Sequence, residues 1–186
     1  MNTLESKQDA SNLLDQDAFY NMVKQTQGSL FRVALGITGS HAISEELIQD
    51  CYLISYEALL DGRWKGEHVK SWTQKVLVRL AIRRMQRHRR RNQIMQIIGL
   101  NKFFEHKTNT NEQGIATDSS IPPHFMVHLH ALPVMQRSAL ILHVVEGLSA
   151  RQVAEQLGKS EGAVEQLLVR AKKTLKQRLE EDHDER

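Results

Sequence analysis

The chain has a single cysteine, Cys51, so it can form no internal disulfide and no thiolate metal cluster. Three prolines and ten glycines in 186 residues are too few for a loop-rich chain, and the scarcity of breakers favours helix nearly throughout. Aromatic residues make up 5%, so the interior must be built from Leu, Val, Ile and Ala. No apolar run approaches the roughly 20 residues of a membrane span, and no membrane insertion is expected. The opening "MNTLESKQDASNLLDQ" has neither a basic start nor an apolar centre, so it does not read as a signal peptide. The expected compartment is the cytoplasm. Strand-like alternation and internal repeats are absent. So are a Gly-rich phosphate loop, HExxH and a nucleophile-base set, and the expectation is no enzyme, no catalytic residue and no cofactor.

Acidic residues are missing from one long stretch. Between His68 and Phe104 there is no Asp or Glu, while ten Lys or Arg occur, among them Lys70, Arg79, Arg83 and Arg87. Just upstream, Glu45, Glu46, Asp50, Glu57, Asp61 and Glu67 form an acidic stretch. A second basic set, Arg170, Lys172, Lys173, Lys176 and Arg178, precedes the acidic end "EEDHDER". Solvated helix faces would scatter both signs. Segregation on this scale points to a polyanion on one surface and a different partner on another.

What is present is helical periodicity. Phe19, Met22, Val23, Leu30, Val33, Ala34 and Ile37 predict a helix over about 15–35. "GITGS" breaks it, and Ser40 can cap a second helix with the stripe Ile43, Leu47, Cys51, Ile54 and Ala58. "DGRWKGEH" is a loop. A third helix turns Val69, Trp72, Val76, Leu80 and Ala81 inward, with arginines on its other faces. The polar, aperiodic "KTNTNEQGIATDSSIPP" reads as a flexible linker, with "IMQIIGLNKFF" before it as a short docking helix. Beyond it, Leu140, Ile141, Val144 and Val145 form one face, and Gly147 serves as a C-cap. Ser149 and Gln152 fit a capping box, Gly158 a sharp turn, and Ser160 the cap of a last helix packed through Val164, Leu168, Ala171, Leu175 and Leu179. The expected fold is all-α: an N-terminal tail (1–14), a helical bundle (15–91), a linker (92–123), a helix-turn-helix domain (124–180) and an acidic tail (181–186).

A helix, a turn on Gly and a second helix with inward Val and Leu is the helix-turn-helix pattern, which ordinary helical hairpins share. "LPVMQRSALILHVVEGLSARQVAEQLGKSEGAVEQLLVRAKKTLKQRL" resembles the minus-35-reading domain of bacterial sigma factors of the extracytoplasmic-function type. "LFRVALGITGSHAISEELIQDCYLISYEALLDGRWKGEHVKSWTQKVLVRLAIRRMQRHRRR" resembles the minus-10 domain of the same family. The two stand in the family's order with a linker between them. The resemblance implies an alternative sigma factor that binds RNA polymerase core, recognises a promoter and is held in check by an anti-sigma factor.

Carried over position by position, the resemblance assigns Glu45, Glu46, Gln49 and Asp50, within "SEELIQD", to the clamp coiled coil of RNA polymerase core. It places Arg63, Trp64 and Lys65 in the loop that captures an unpaired promoter base. Trp64 would stack on that base or, alternatively, close the bundle interior; Trp72 is structural. Lys70, Arg79, Arg83 and Arg87 complete the minus-10 set. Arg79 and Arg83 stand where the family usually has Asn and Asp, which raises phosphate attraction and alters base readout. For minus-35 DNA it implies Arg151, Lys159, Ser160, Glu165, Gln166, Arg170 and Lys173, with Glu165 and Leu167 where the family often carries cations. Gln166 can address an adenine edge and Glu165 a cytosine amino group. The alternatives are a sigma-like adaptor or decoy that binds polymerase or an anti-sigma without reading promoters, and a conventional helix-turn-helix regulator. His124, His128 and His130 have metal-ligand spacing but no Cys or carboxylate close by; a small metalloenzyme built on them is the weakest alternative, and no metal is expected.

Overall fold

One glycine and a serine set the first corner. Gly39, at φ +72°, makes the left-handed turn, and the Ser40 hydroxyl then accepts from the Ile43 N–H at 3.4 Å, which satisfies one free donor of the next helix. The computed structural model describes residues 3–97 and 123–184, with side chains at 17, 19–94 and 125–182. These residues form α1 (Thr3–Thr38), α2 (His41–Leu60), α3 (Val69–Ile97), α4 (Pro123–Ala131), α5 (Val134–Val144), α6 (Ala150–Leu157) and α7 (Glu161–Asp184), with no strand among the described residues.

The first three helices pack on one another as a bundle, and α4 to α7 form a second helical unit. Both ends of the bundle run further than the periodicity predicts. α1 begins at Thr3, so the stretch read as a tail is helical backbone; it lacks an apolar stripe but also lacks Gly and Pro. α3 likewise continues through 92–97, the first residues of the expected linker. The remainder of that linker, and most of the expected docking helix, lie outside the described residues.

Burial agrees with the expected stripe of α2 and corrects that of α3. Leu47, Cys51 and Ala58 are buried. On α3 the buried positions are Thr73, Gln74, Leu77, Val78 and Ala81, whereas Val69, Trp72, Val76 and Leu80 are only half-buried. The reason is that α3 is packed on two sides, by α1 and α2 and also by α5 and α6 of the second unit. On α5 the buried face is Ala139 to Leu142, and Val144 stands 65% exposed instead of joining it. The capping box at Ser149 and Gln152 is present in both directions, at 3.3 and 2.9 Å, and Gly158 takes the left-handed C-cap at φ +63°.

The two units meet along a seam. A Cβ on Gly36 of α1 would lie 2.7 Å from Ile141 Cδ1 on α5, and one on Gly39 would lie 2.8 Å from the His130 ring. That ring is deprotonated for a physical reason: burial, and then the Arg137 guanidinium, push its pKa down to about 4. Arg137 Nη1 lies 3.1 Å from Nδ1 of His130 and donates to its carbonyl at 2.7 Å, so Nδ1 must be the acceptor.

The unfolded chain takes this proton near pH 6.5, while the folded chain refuses it down to about 4. Stability is therefore complete above pH 6.5 and is lost as the pH falls through that window, at no more than about 1.4 kcal/mol per pH unit. Urea denaturation should show a loss of roughly 1–2 kcal/mol between pH 7 and pH 5, and His130→Gln should flatten most of that step. An equal pH slope in the variant would mean that another group carries it.

Candidate nucleic-acid interface

Helix geometry sorts the basic residues of α3 into two groups. Arg79, Arg83 and Arg87 follow one another at four-residue steps, which keeps them within an arc of about 80°, and all three are exposed. Lys70 stands nine residues before Arg79, on the opposite side of the helix, about 180° away. There its ammonium meets the Glu146 carboxylate of the second unit at 3.0 Å. The structure therefore brings Arg79, Arg83 and Arg87 together and does not bring Lys70 to them.

The loop after α2 is ordered by its own side chains. Arg63 donates through Nε to Asp61 Oδ2 at 2.6 Å and through its backbone N–H to Oδ1 at 3.1 Å. Lys65 is exposed beside it. Trp64 is not exposed: it is 8% accessible, its indole lies parallel to Trp72 at 5.3 Å and 2°, and its Nε1 donates to the Glu67 carbonyl at 2.7 Å. Of the two roles the sequence left open for Trp64, the interior one is what the structure displays, since a base would have to displace Trp72 from the ring face. Arg63 and Lys65 remain at the surface as cations over this buried pair.

On α2 the residues Glu45, Glu46, Gln49 and Asp50 are exposed as a group. Glu46 accepts from Arg84 Nη2 at 2.9 Å, and Glu45 lies 3.4 Å from His41. Two apolar residues missed in the sequence reading share this face: Leu53, 57% exposed, and Leu60, 56% exposed. Positions 46, 49, 50, 53, 57 and 60 fall within an arc of about 100°. Carboxylates interleaved with bare leucines suit a protein partner and repel a phosphate backbone. The seven-residue spacing of the two leucines was the available signal, masked because they stood outside the inward stripe.

In the second unit α6 and α7 cross as a helix-turn-helix. Val164, Leu168, Ala171 and Leu175 are buried, and Glu165, Gln166, Val169, Arg170 and Lys173 lie on the exposed side. Leu167 is half-buried and packs against the interior; it is a packing residue and not a lost cation on a DNA-facing side. Ser160 caps α7 by accepting from the Ala163 N–H at 3.3 Å, Lys159 is exposed beside it, and Arg151 lies 3.8 Å from Glu155. Glu161, in the first turn of α7, complements the positive end of the helix. Val169, also missed in the sequence, puts an exposed methyl pair among these polar groups, where a thymine methyl would find a partner.

The histidines are used separately. His128 Nε2 lies 3.4 Å from Asp182 Oδ2, and His130 faces Arg137. His124 lies outside the described side chains, and among the described residues no group of three metal-ligating side chains converges.

Comparison with known proteins bears on both units. The family profile of Sigma-70 region 2 matches residues 22–91, and that of Sigma-70, region 4 matches residues 128–175, together more than half of the chain. A probable RNA polymerase sigma factor RfaY of Xanthomonas campestris pv. campestris is 26% identical over 166 residues, 88% of this chain. The chain spans 41% of the length of that relative. Among solved structures, the sigma factor RpoE of Bartonella quintana, co-crystallised with the anti-sigma factor NepR, superposes with a TM-score of 0.57 at 22% identity, over 87% of this chain and 96% of that one, a likeness of fold.

Trp64→Ala should cost about 3–5 kcal/mol, the usual range for removing a large buried aromatic side chain, and should lower the thermal midpoint of the isolated protein. An unchanged midpoint would mean that Trp64 is held for a ligand and not for the interior.

Proposed function

The chain belongs to the sigma-70 family, and from that membership we propose that it is an alternative sigma factor, a non-enzymatic initiation factor of the cytoplasm. It binds RNA polymerase core and carries it to a defined set of promoters. The observation that carries this reading is the occurrence of both regions in order, each with an exposed face of its own chemistry.

Three surfaces divide the work. The α2 face of Glu45, Glu46, Gln49 and Asp50, continued by Leu53 and Leu60, docks on the clamp coiled coil of RNA polymerase core. Arg79, Arg83 and Arg87 of α3, with Arg63 and Lys65 of the adjoining loop, hold the separated minus-10 DNA, chiefly through phosphates. The exposed side of α7 enters the major groove at minus 35, where Gln166 addresses base edges, Glu165 accepts from a cytosine amino group and Arg170 and Lys173 take phosphates. Arg151, Lys159 and Ser160 flank that groove contact. An anti-sigma protein completes the set of partners; the solved relative from Bartonella quintana is bound to one.

Glu165 makes a sharp test, because a carboxylate in the groove repels phosphates. Glu165→Lys should strengthen duplex binding several-fold at low salt and steepen the salt dependence by about one unit of log–log slope. Unchanged affinity would place α7 away from DNA. Charge reversal of Glu46 and Asp50 together should weaken binding to RNA polymerase core roughly tenfold and leave DNA binding by the free protein intact. Initiation itself is read with purified RNA polymerase core and a library of randomised promoters. A narrow set of start sites supports the reading; core binding without initiation would indicate an adaptor or decoy in its place.

A further inference from the structure

The three arginines in line on α3 have unlike neighbours. On a helix surface the nearest side chains stand three and four residues away. For Arg87 these are Arg83, Arg84, Arg90 and Arg91, a guanidinium at every one of the four positions. Arg83, Arg87, Arg90 and Arg91 are exposed. Cations concentrated in open water attract a phosphate backbone and express no choice among bases. For Arg79 the four neighbours are Lys75, Val76, Ile82 and Arg83. Val76 and Ile82 are half-buried, pack against the bundle interior and flank Arg79 at about 60° on either side. Two turns earlier, about 20° around the helix, stands the half-buried Trp72, whose ring is fixed by its stack on Trp64. Arg83 has Leu80 on one side but the exposed Gln86 on the other. Arg79 is thus the only one of the three whose exposed head stands over an apolar floor on both sides. A water-poor floor strengthens a directional hydrogen bond made above it.

We propose that Arg79 is the residue of α3 that reads a base, and that the base is guanine. The inference rests on the sigma-factor reading and deepens it from phosphate binding to a choice of sequence. Guanine alone presents two acceptors, N7 and O6, side by side on its major-groove edge, the pattern that a guanidinium fork matches. Adenine puts an amino donor beside N7. Thymine presents one acceptor and a methyl group there, and cytosine a donor. The guanine edge faces the major groove of a duplex and stays available on an unpaired base, so the contact does not depend on whether the strands have separated. Arg83 and Arg87 keep the phosphates. The line divides into one reader and two anchors.

Readers and anchors answer substitution differently. Loss of a reader relaxes one base position, whereas loss of an anchor weakens all sequences alike and lowers the salt slope by about one. The readout is the set of minus-10 sequences from which RNA polymerase core and the full chain initiate on a randomised library, at two salt concentrations. The wild type should favour guanine at one position, with a loss of roughly tenfold for adenine there. Arg79→Asn should reverse that preference at the same position, because the Asn amide pairs with adenine N6 and N7. Arg79→Lys keeps the charge without the fork; it should weaken the preference and leave the salt slope unchanged. Arg87→Gln should keep the guanine and lower initiation from every sequence alike. Helix content by circular dichroism should be unchanged in all three, since both side chains are exposed. A wild type without the guanine preference, a guanine that persists in Arg79→Asn, or a uniform loss across sequences in that variant would each overturn the proposal. Failure of the sigma reading would look different: no form of the chain would support initiation. Selection of randomised single-stranded and duplex oligonucleotides by the full chain alone then decides the matter. Arg79→Asn must still exchange guanine for adenine there, and the absence of exchange, or of any binding, would overturn the proposal.

Discussion

The surface of one helix, α3, has to serve three purposes at once, and the rest of the structure follows from how its circumference is divided. At 100° per residue, Thr73, Leu77 and Ala81 go to the bundle interior, Ser71 to the second unit, and Arg79, Arg83 and Arg87 to solvent, while Lys70 in the first turn shares the angle of Leu77 and Ala81 but reaches Glu146 from the end of the helix. The shares cannot be changed independently. A one-residue slip of the helix would turn every side chain by 100°, burying an arginine or exposing Leu77. Trp64 and Trp72 stack where the loop meets the start of α3 and fix that rotation, while Cys51 of α2 donates its thiol to the Thr73 carbonyl at 3.2 Å. Burial holds that thiol protonated, with its pKa pushed up to about 12, so it acts as a donor and a small packing group.

Much of this was legible in the sequence because the signals were local. Ser40, the Ser149–Gln152 box and Gly158 are cap chemistry, decided within four residues, and all three stand where the pattern put them. The helix-turn-helix was readable from the spacing of Val164, Leu168, Ala171 and Leu175. What misled was non-local. Which of Trp72, Thr73, Val76 and Leu77 turn inward depends on a second unit arriving at α3 from far along the chain, and periodicity within α3 carries no trace of it. Trp64 shows a second kind of limit: an aromatic between two cations in a glycine loop fits base capture and interior packing equally well, and only its contact with Trp72 separates them. The exposed Leu53 and Leu60 stood outside the inward stripe of α2, and two leucines seven residues apart are too weak a pattern to mark a second apolar face.

Charge segregation was the most reliable long-range signal, because electrostatics constrains surfaces whatever their packing. The acid-free stretch from His68 to Phe104 supplies the solvent-facing arginines of α3, and the acidic stretch before it supplies the outer face of α2. The pair between Glu46 and Arg84 at 2.9 Å ties the two surfaces at their border. Both side chains are about half exposed, so the bond adds little to stability. Its consequence is positional: Arg84 is held toward α2, away from the line of Arg79, Arg83 and Arg87.

The acidic start of the last helix, Glu161 and Glu165, becomes intelligible when affinity and specificity are separated. Glu161 in the first turn stabilises α7 through its dipole, and both carboxylates lower the attraction of the helix for phosphates in general. A regulator that must find DNA unaided would lose by this. A domain delivered to its site by a much larger partner does not, because tethering supplies an effective concentration that replaces intrinsic affinity. Weak autonomous binding then has an advantage, since the free protein avoids the excess of non-specific DNA. On the proposed reading, Arg170 and Lys173 further along the helix would offer phosphate contacts once the groove is reached, and Gln166 and Val169 would offer base edges and methyl groups a surface to match. In such a division the partner provides the affinity and the helix provides the choice of site.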